Sequence, residues 1–419
     1  MILAHGKLYE NKEQGAIIAS LKAAICETLN GPKLDTEEVI LACDRLSKKA
    51  EGGAFDEIAK PLLEFAQVDY ATYLDYCRMF SEKELRKKLD TELCGLSESE
   101  TKISEHLFRE RRPLGVLLHI AAGNVDALPA YSVIEGLLTG NINLLKLPSG
   151  DNGVSVRLLS ELIAECPALK EYIYVFDVPS TEIETIKTLA GLSDGVVVWG
   201  GDAAVRAAHR FIEPNTKLIV WGHKLSFAYA LPGCPDDMLC SLAADICKTN
   251  QLLCSSCQGI FVDTDDEEEL RSFGERFFEI LKKENQRYGK APRGMRAKNT
   301  LKLYDDKLEN RDTIFAGEGV SVVIRSDSEL ELSYLFRNVW IKALPHEKII
   351  SALKHQKGYL QSCALFIPDG DTKETVIESL KRTGLTRITG PSLSTMLFGE
   401  AHDGTFALRE YSRIVDVYR

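Results

Sequence analysis

The sequence predicts an α/β protein that contains a doubly wound parallel sheet followed by a second α/β unit. Two observations support this prediction. From residue 112 onward, apolar runs of strand length alternate with segments of helical periodicity, which is the pattern of repeated strand–helix–strand units. The chain also has 419 residues, which is more than one core usually holds, since domains contain roughly 100–200 residues.

Helices are predicted for most of the first hundred residues. Apolar side chains recur at helical spacing over 17–25 and 38–43. The charged stretch 80–92 fits a solvated helix, with Gly95 beyond its end as a stop. We group this helical region with the sheet that follows it as one predicted domain, residues 1–225.

The first strand–helix–strand unit starts with the apolar run 116–120 as its strand. A helix over 128–138 follows and ends near Gly140. The second strand, 143–147, stops at Pro148. Three further strands with helices between them are predicted at 172–176, 195–199 and 217–221. Parallel strands joined by helical crossovers form a doubly wound sheet.

A second α/β unit is predicted for residues 226–390, and a C-terminal return segment for 391–419. A helix over 236–248 leads to Cys254. The predicted strands of this unit are 259–262, 320–324 and 363–367. The basic run 290–299 is predicted to be a surface loop.

Composition and charge exclude several classes of protein. A formal net charge of -11 argues against nucleic-acid binding, which depends on an excess of Lys and Arg. The start of the chain lacks a basic leader and an apolar run. The longest apolar stretches, such as 115–122, are far shorter than the ~20 residues of a membrane helix. We therefore expect a cytoplasmic protein with no membrane span. Its 11 cysteines are an odd number spread along a long chain, which does not indicate a disulfide framework.

Cys254 is the cysteine whose surroundings best suit catalysis. It lies where a helical pattern ends and a strand begins, with Asn250, Gln251 and Ser255 close by in sequence. A nucleophilic thiol needs partial exposure and polar neighbours that stabilise the thiolate. An inert, buried cysteine at a helix–strand junction explains the local pattern as well. The local pattern leaves both interpretations open.

Cys254 also forms a C-x-x-C pair with Cys257. A redox pair of this type stands at the start of a helix, whereas this one follows a helix. A zinc site needs two more ligands. Cys240 and Cys247 are near, but their heptad spacing fits a packed helix face better than a tetrahedral site. We therefore expect no metal.

Small and polar residues follow three predicted strands, at the edge where parallel sheets bind ligands. Gly200 and Gly201 form a turn that suits a phosphate but lacks the full G-x-G-x-x-G fingerprint. Asp202 is interpreted as the N-cap of the next helix. Lys146 ends one strand, and Asn124 lies in the turn after another. Strand-end solvation and turn geometry are the alternative explanations for these two residues.

Taken together and in this order, these segments resemble the aldehyde dehydrogenase superfamily. Within it they are similar to the long-chain acyl-CoA reductase family, the reductase component that supplies aldehyde to bacterial luciferase. The similarity covers about residues 110–265 and the tail from about 390. Its pieces are the first cofactor-binding unit at 112–124, 138–141 and 144–148, the Trp-Gly-Gly-Asp turn at 199–202, Asn-Gln and Cys-Ser at 250–255, and the tail with His-Asp-Gly at 402–404 and Tyr-Ser-Arg-Ile-Val at 411–415.

The resemblance implies an aldehyde-dehydrogenase-like fold, with a dinucleotide-binding domain first and a catalytic domain second. Cys254 would be the nucleophile, and Asn124 with the backbone N–H of Cys254 would form the oxyanion hole. Lys146 would contact the adenosine ribose. Gly200 and Gly201 would let the backbone lie against the cofactor.

Two departures from the superfamily pattern bear on the reaction. Ordinary aldehyde dehydrogenases have a glutamate that activates the deacylating water, and Val220 stands at the matching position. Valine cannot accept a proton, so hydrolysis of an acyl-enzyme would be slow and thioester chemistry is favoured. His223 nearby is interpreted as a strand-end residue rather than a replacement base. Ser149 stands where NAD-dependent relatives have an acid, which favours NADPH and still allows NADH.

The predicted reaction is reduction of an acyl thioester, fatty acyl-CoA in particular, to the aldehyde by NAD(P)H. It would pass through S-acyl-Cys254 and release coenzyme A or another thiol. The family further implies an acyl-activating ligase partner and a homo-oligomer. The alternatives are a hydrolytic aldehyde dehydrogenase and an inactive family member that serves as a binding subunit.

Overall fold

Helices and strands alternate along most of the chain. The computed structural model describes residues 1–66, 69–121, 127–309, 313–393 and 398–419. The helices are α1 (Gln14–Asn30), α2 (Thr36–Glu51), α3 (Asp56–Ala66), α4 (Tyr70–Arg78), α5 (Glu82–Glu92), α6 (Leu128–Leu137), α7 (Val154–Glu165), α8 (Ile183–Gly191), α9 (Asp202–Ala208), α10 (Asp236–Thr249), α11 (Glu267–Asn285), α12 (Arg293–Leu308), α13 (Ile349–Leu353), α14 (Asp371–Thr383) and α15 (Ala407–Glu410).

The strands of the described residues form three sheets. They are β1 (Ile2–Ala4), β2 (Lys7–Tyr9), β3 (Thr101–Lys102), β4 (Leu107–Pro113), β5 (Val116–Ile120), β6 (Ile142–Lys146), β7 (Ile173–Phe176), β8 (Gly195–Trp199), β9 (Lys217–Trp221), β10 (Leu225–Ala230), β11 (Cys257–Val262), β12 (Thr313–Gly317), β13 (Val320–Arg325), β14 (Asn338–Ala343), β15 (Leu360–Phe366), β16 (Arg387–Thr389) and β17 (Ser412–Tyr418). The chain divides into two compact units.

The first unit comprises Met1–Glu64, Asp69–Gly222 and Leu397–Arg419. Its large sheet has the strand order β2-β1-β7-β6-β5-β8-β9. Strands β5 to β9 are parallel to one another, and β1 pairs antiparallel with β7. Every residue of β6 and β7 is buried, as expected for strands with helices on both faces. The chain moves outward from β5 to β7 and then returns to the other side of β5 at β8. This reversal is a topological switch point, where doubly wound sheets bind ligands.

A smaller sheet of the first unit joins the C-terminal strand to the strand before β5. Its order is β17-β4-β3, and β17 pairs antiparallel with β4 from Ser412↔Pro113 to Tyr418↔Leu107. Arg109 forms two hydrogen bonds with the carboxylate of Asp416, at 2.7 and 2.9 Å. The C-terminal strand is therefore paired with the strand that directly precedes β5 of the large sheet.

The second unit consists chiefly of His223–Met396. Its sheet has the order β12-β13-β14-β11-β10-β15-β16. All pairs are parallel except β12 with β13. Every residue of β10, β11 and β15 is buried, including a few polar ones. This sheet shares no strand with the first.

Two local predictions were wrong. The basic run 290–299 is not a loop throughout, because α12 begins at Arg293, directly after Pro292, which serves as its N-cap. Asp202 is not an N-cap either. Gly201 holds that position, and Asp202 is the first residue of α9. In both cases the helix begins within a few residues of a Pro or Gly that sets its start.

No helix among the described residues is both long and apolar enough to cross a bilayer.

Candidate functional site

The segment with Cys254 is a short connection between α10 and β11. Helix α10 ends because Asn250 adopts left-handed backbone angles, with φ of 49°, and Gln251 follows with φ of 61°. Such angles are uncommon outside glycine and stop a helix abruptly. The connection therefore has a defined conformation, and the predicted helix-to-strand transition around Cys254 is present.

Asn250 and Gln251 hold this connection against the start of β14. The backbone oxygen of Asn250 accepts from Phe336 at 2.9 Å. The Gln251 side-chain oxygen accepts from the backbone N–H groups of Arg337 and Asn338 at 3.0 and 3.1 Å. Residues 335–337 also have positive φ angles, from 49° to 71°. The Asn250 side-chain oxygen accepts from Arg337 Nε at 3.0 Å. The polar residues near the cysteine therefore hold this connection in place.

Thr249 and Ser256 form hydrogen bonds within this connection. The Ser256 hydroxyl donates to Thr249 Oγ1 at 2.9 Å and accepts from the backbone N–H of Leu253 at 3.2 Å. The Thr249 hydroxyl in turn donates to the backbone oxygen of Asp245 at 2.9 Å. These bonds tie the turn around Cys254 to the last turn of α10.

The Cys254 side chain is exposed. The Gln361 side-chain amide donates to its sulfur, with Nε2 and Sγ 3.5 Å apart. The Ser226 hydroxyl donates to the backbone oxygen of Cys254 at 2.8 Å. A reachable thiol with a polar donor at its sulfur meets the requirements for a nucleophile.

Two other cysteines of this region, Cys247 and Cys257, are buried. Cys257 is buried within β11, and burial raises the pKa of its thiol. Burial likewise raises the pKa of Cys247 to about 12. No group of three or more His, Cys, Asp or Glu side chains suited to a metal ion exists within the described ranges. Neither the redox pair nor the zinc scaffold gains support from this geometry.

The predicted cofactor residues of the first unit follow the carboxyl ends of β6 and β8. Lys146 is the last residue of β6 and is 5% exposed. Its amine donates to Ser180 Oγ at 3.3 Å. Burial lowers the pKa of Lys146, and the charge of Asp177 opposes this effect. Ser149 lies three residues further on and is exposed. Since only β5 separates β6 from β8, the two strand ends are about 10 Å apart.

The turn after β8 has the shape expected of a turn whose backbone a ligand can approach closely. Gly200 has φ of +155°, and a Cβ there would lie 3.1 Å from the Ala204 side chain. A side chain would therefore be strained at Gly200. Gly201 has an ordinary φ of −74°, and the space beside its Cα is open. The open side of Gly201 leaves room for a ligand against the backbone.

The first unit thus brings Lys146, Ser149, Gly200 and Gly201 to one edge of its sheet, while Cys254 belongs to the second unit. Asn124, the predicted oxyanion-hole residue, lies outside the described residues. Val220 lies in β9 and is exposed. The functional roles of these residues stay predictions.

The fold defines the class of protein to which the chain belongs. NADP-dependent glyceraldehyde-3-phosphate dehydrogenase from Bacillus halodurans C-125 superposes with a TM-score of 0.77 at 15% identity, covering 100% of this chain and 98% of that one. Glyceraldehyde-3-phosphate dehydrogenase GapN from Methanocaldococcus jannaschii superposes with a TM-score of 0.75 at 15% identity, covering 99% and 95%. The chain has the aldehyde dehydrogenase fold, which confirms the predicted fold class.

Sequence comparison identifies the family. The acyl-CoA reductase (LuxC) profile matches residues 33–414, and the chain belongs to that family. It is 25% identical over 324 residues to the long-chain acyl-protein thioester reductase of Aliivibrio fischeri, covering 73% of this chain and 64% of the relative. It is 26% identical over 323 residues to the enzyme of the same name from Photorhabdus luminescens, covering 72% and 63%. The chain therefore spans somewhat under two thirds of these relatives.

These relatives are named for acyl-protein thioesters, whereas the family description names acyl-CoA. The expectation of coenzyme A as the leaving group has no support from the relatives' names. Sequence reasoning also missed Gln361 and Ser226. For Gln361 the available signal was the polar pair Gln361 and Ser362 at the start of an otherwise apolar strand, 360–366, since a buried amide needs a partner.

Proposed function

We propose that this chain reduces a long-chain acyl thioester to the aldehyde with NADPH through an S-acyl-Cys254 intermediate. The observation that carries the proposal is the exposed Cys254 sulfur, which lies 3.5 Å from the buried Gln361 amide in a fixed turn. Family membership supports acyl reduction. The absence of a carboxylate at Val220 supports transfer to a thiol rather than to water.

In the first half-reaction the Cys254 thiolate attacks the acyl carbon. A new carbon–sulfur bond forms, the bond to the donor thiol breaks, and the released thiolate takes up a proton. Negative charge develops on the carbonyl oxygen during this step, and donors placed around such an oxygen supply a large share of the catalysis of acyl transfer. We assign this role to Asn124 and the backbone N–H of Cys254.

In the second half-reaction the acyl-enzyme thioester is reduced by two electrons. A nicotinamide cofactor, which Lys146, Gly200 and Gly201 would hold, would supply the hydride. With one proton from solvent the product is a hemithioacetal on Cys254. Its carbon–sulfur bond then breaks, the sulfur regains its electron pair, the hydroxyl proton is released to solvent, and the aldehyde leaves. The sum is acyl thioester, NADPH and a proton giving aldehyde, thiol and NADP⁺.

The carboxyl edge of the first sheet fits a dinucleotide. It lies at a switch point, and Gly200 and Gly201 leave the backbone bare. Lys146 would hold the adenosine ribose there. Ser149 places no carboxylate in the path of a 2′-phosphate, which favours NADPH and leaves NADH as a weaker alternative.

The acyl donor we propose is a protein-bound thioester, in line with the names of the curated relatives. Coenzyme A would then be a substitute leaving group. A partner that activates the fatty acid and presents it on a thiol follows from this proposal, as does assembly into a homo-oligomer from the family resemblance.

The proposal predicts oxidation of NADPH that depends on an acyl thioester. The purified chain is incubated with NADPH or NADH and a long-chain acyl group, carried either on a protein thiol or on coenzyme A. We expect aldehyde equal in amount to the NADPH consumed, with faster turnover of the protein-bound donor. Lack of aldehyde from every donor would support the inactive binding subunit instead.

The reverse reaction separates the proposal from a hydrolytic aldehyde dehydrogenase. Aldehyde and NADP⁺ are supplied with and without a free acceptor thiol. The proposed enzyme forms NADPH continuously only when the thiol is present. Steady carboxylic acid formation without thiol would establish hydrolysis and contradict the proposal.

Lys146→Met is expected to weaken NADPH binding about tenfold, because a charged hydrogen bond to the cofactor is lost. The measurement is a fluorescence titration with NADPH and no acyl donor. Lys170→Met is the matched control, since Lys170 is exposed and precedes β7 at the opposite edge of the sheet. Equal affinity in the two variants would remove Lys146 from the cofactor site.

A further inference from the structure

Gln361 occupies an unusual position for a polar side chain. It lies in β15, whose seven residues are all buried, and it is itself 6% exposed. Burial of an amide without partners costs free energy. Its Nε2 donates to Cys254 Sγ at 3.5 Å, so part of this cost is offset by the sulfur.

A bulge in β15 directs this residue. Between Leu225 and Phe227 of β10 there is one residue, Ser226, whereas the paired stretch of β15 from Leu360 to Cys363 contains two. Bulges bend a strand, change where its side chains point and occur beside active sites. Because of the bulge, residues 361 and 362 both lie opposite Ser226.

Ser226 stabilises the bulge and the cysteine at once. Its hydroxyl oxygen accepts from the backbone N–H of Ser362 at 3.2 Å, and the hydroxyl donates to the Cys254 backbone oxygen at 2.8 Å. The Gln361 side-chain oxygen lies 3.4 Å from the same hydroxyl. Ser226 therefore fixes both the main chain of Cys254 and the amide that contacts its sulfur.

We propose that Gln361 is a catalytic residue, which donates a hydrogen bond to the Cys254 thiolate before attack and again when the hemithioacetal collapses. This inference rests on the proposed function of Cys254. The amide gives up no proton. It favours the state in which the sulfur carries the electron pair, because a hydrogen bond to a charged acceptor is stronger than one to a neutral thiol.

Alkylation of Cys254 by iodoacetamide as a function of pH tests the proposal. The modified peptide is quantified by mass spectrometry. Gln361→Met keeps the length of the side chain and removes the donor, so the pH of half-maximal rate is expected to rise by about one unit. Gln361→Glu puts a carboxylate beside the sulfur and is expected to raise it further.

Turnover gives a second readout that a purely structural role would not produce. For Gln361→Met we expect kcat/KM to fall about tenfold at pH 7, in proportion to the loss of thiolate. We expect most of this loss to be recovered at alkaline pH, where the thiol of the variant is ionised as well. The control Gln286→Met changes an exposed glutamine of the same unit and is expected to match the unsubstituted chain.

Unchanged alkylation midpoints in both Gln361 variants would overturn the inference. If Gln361→Met does not fold, as judged by circular dichroism, Gln361→Glu decides alone, because it retains the side-chain length and the acceptor facing Ser226. Alkylation needs no turnover, so its result is independent of the proposed reaction. Failure of that reaction is recognised separately, by aldehyde formation that does not require Cys254.

Discussion

Replacement of Cys254 by alanine is expected to reduce aldehyde formation by at least about a thousandfold. The covalent step has no substitute, because the neighbouring thiol, Cys257, is buried in β11 and burial raises its pKa. Removal of a catalytic nucleophile typically costs several orders of magnitude in rate. The measurement is the initial rate of NADPH oxidation with an acyl thioester, together with the aldehyde formed.

The variant Cys240→Ala is the matched control, because Cys240 is also exposed but lies on α10. It is expected to retain full activity. Cys254→Ala should still bind NADPH normally, since the proposed cofactor residues belong to the other unit. Aldehyde production by Cys254→Ala at the rate of the control would show that the nucleophile lies elsewhere.

The five parallel strands of the first sheet, β5 to β9, could be predicted from sequence because their residues are mostly apolar, whereas the short strands β1 and β2 were not predicted. The apolar runs at 116–120 and 195–199 coincide with β5 and β8. Strand β14 could not be recognised in this way. It contains Lys342, which is 1% exposed and forms ion pairs with Asp327 and Glu331 at 2.5 and 2.9 Å. A lysine looks incompatible with a buried strand until its carboxylate partners are known.

The candidate site was predictable only in part, for a similar reason. Cys254 could be singled out from its own segment and the family resemblance. The polar residues next to it in sequence, Asn250 and Gln251, bind the start of β14 instead. The side chain that contacts the sulfur, Gln361, is 107 residues away. Its place depends on the pairing of β15 with β10 and on the bulge between them, and neither is encoded in the local pattern.

Lys88, Glu92 and Glu135 form a buried ionic cluster in the first unit. The Lys88 amine contacts the carboxylate of Glu92 and lies 2.9 Å from that of Glu135. All three side chains are at most 5% exposed. Burial works against the charged amine, but the two carboxylates hold the pKa of Lys88 above its usual value. Glu92 also accepts from the backbone N–H of Leu408 at 2.9 Å, which links the cluster to the C-terminal segment.

Lys88→Met is expected to lower the free energy of unfolding at neutral pH by about 3–5 kcal/mol, because Glu92 and Glu135 stay buried without a counter-charge. The measurement is denaturant unfolding at several pH values. Burial already raises the pKa of Glu92 above the ordinary 4.5, against the attraction of Lys88, and loss of the amine should raise it further. The folded variant then holds protons that the unfolded chain has lost. The loss of unfolding free energy in Lys88→Met should therefore be smallest near pH 4.5. It should grow as the pH rises through the pKa of Glu92 in the folded variant.

Lys83→Met separates this effect from a general loss of charge on α5. Lys83 lies on the same helix, but its side chain is 89% exposed. Its ion pair with Glu84 is long, with the amine and the carboxylate 3.8 Å apart. Exposed ion pairs contribute little, so this variant should stay within about 0.5 kcal/mol of the unsubstituted chain at every pH. If the two lysine variants have the same stability, then the buried carboxylates do not depend on Lys88. If the deficit of Lys88→Met does not change with pH, then it reflects lost packing around the methylene chain rather than uncompensated charge.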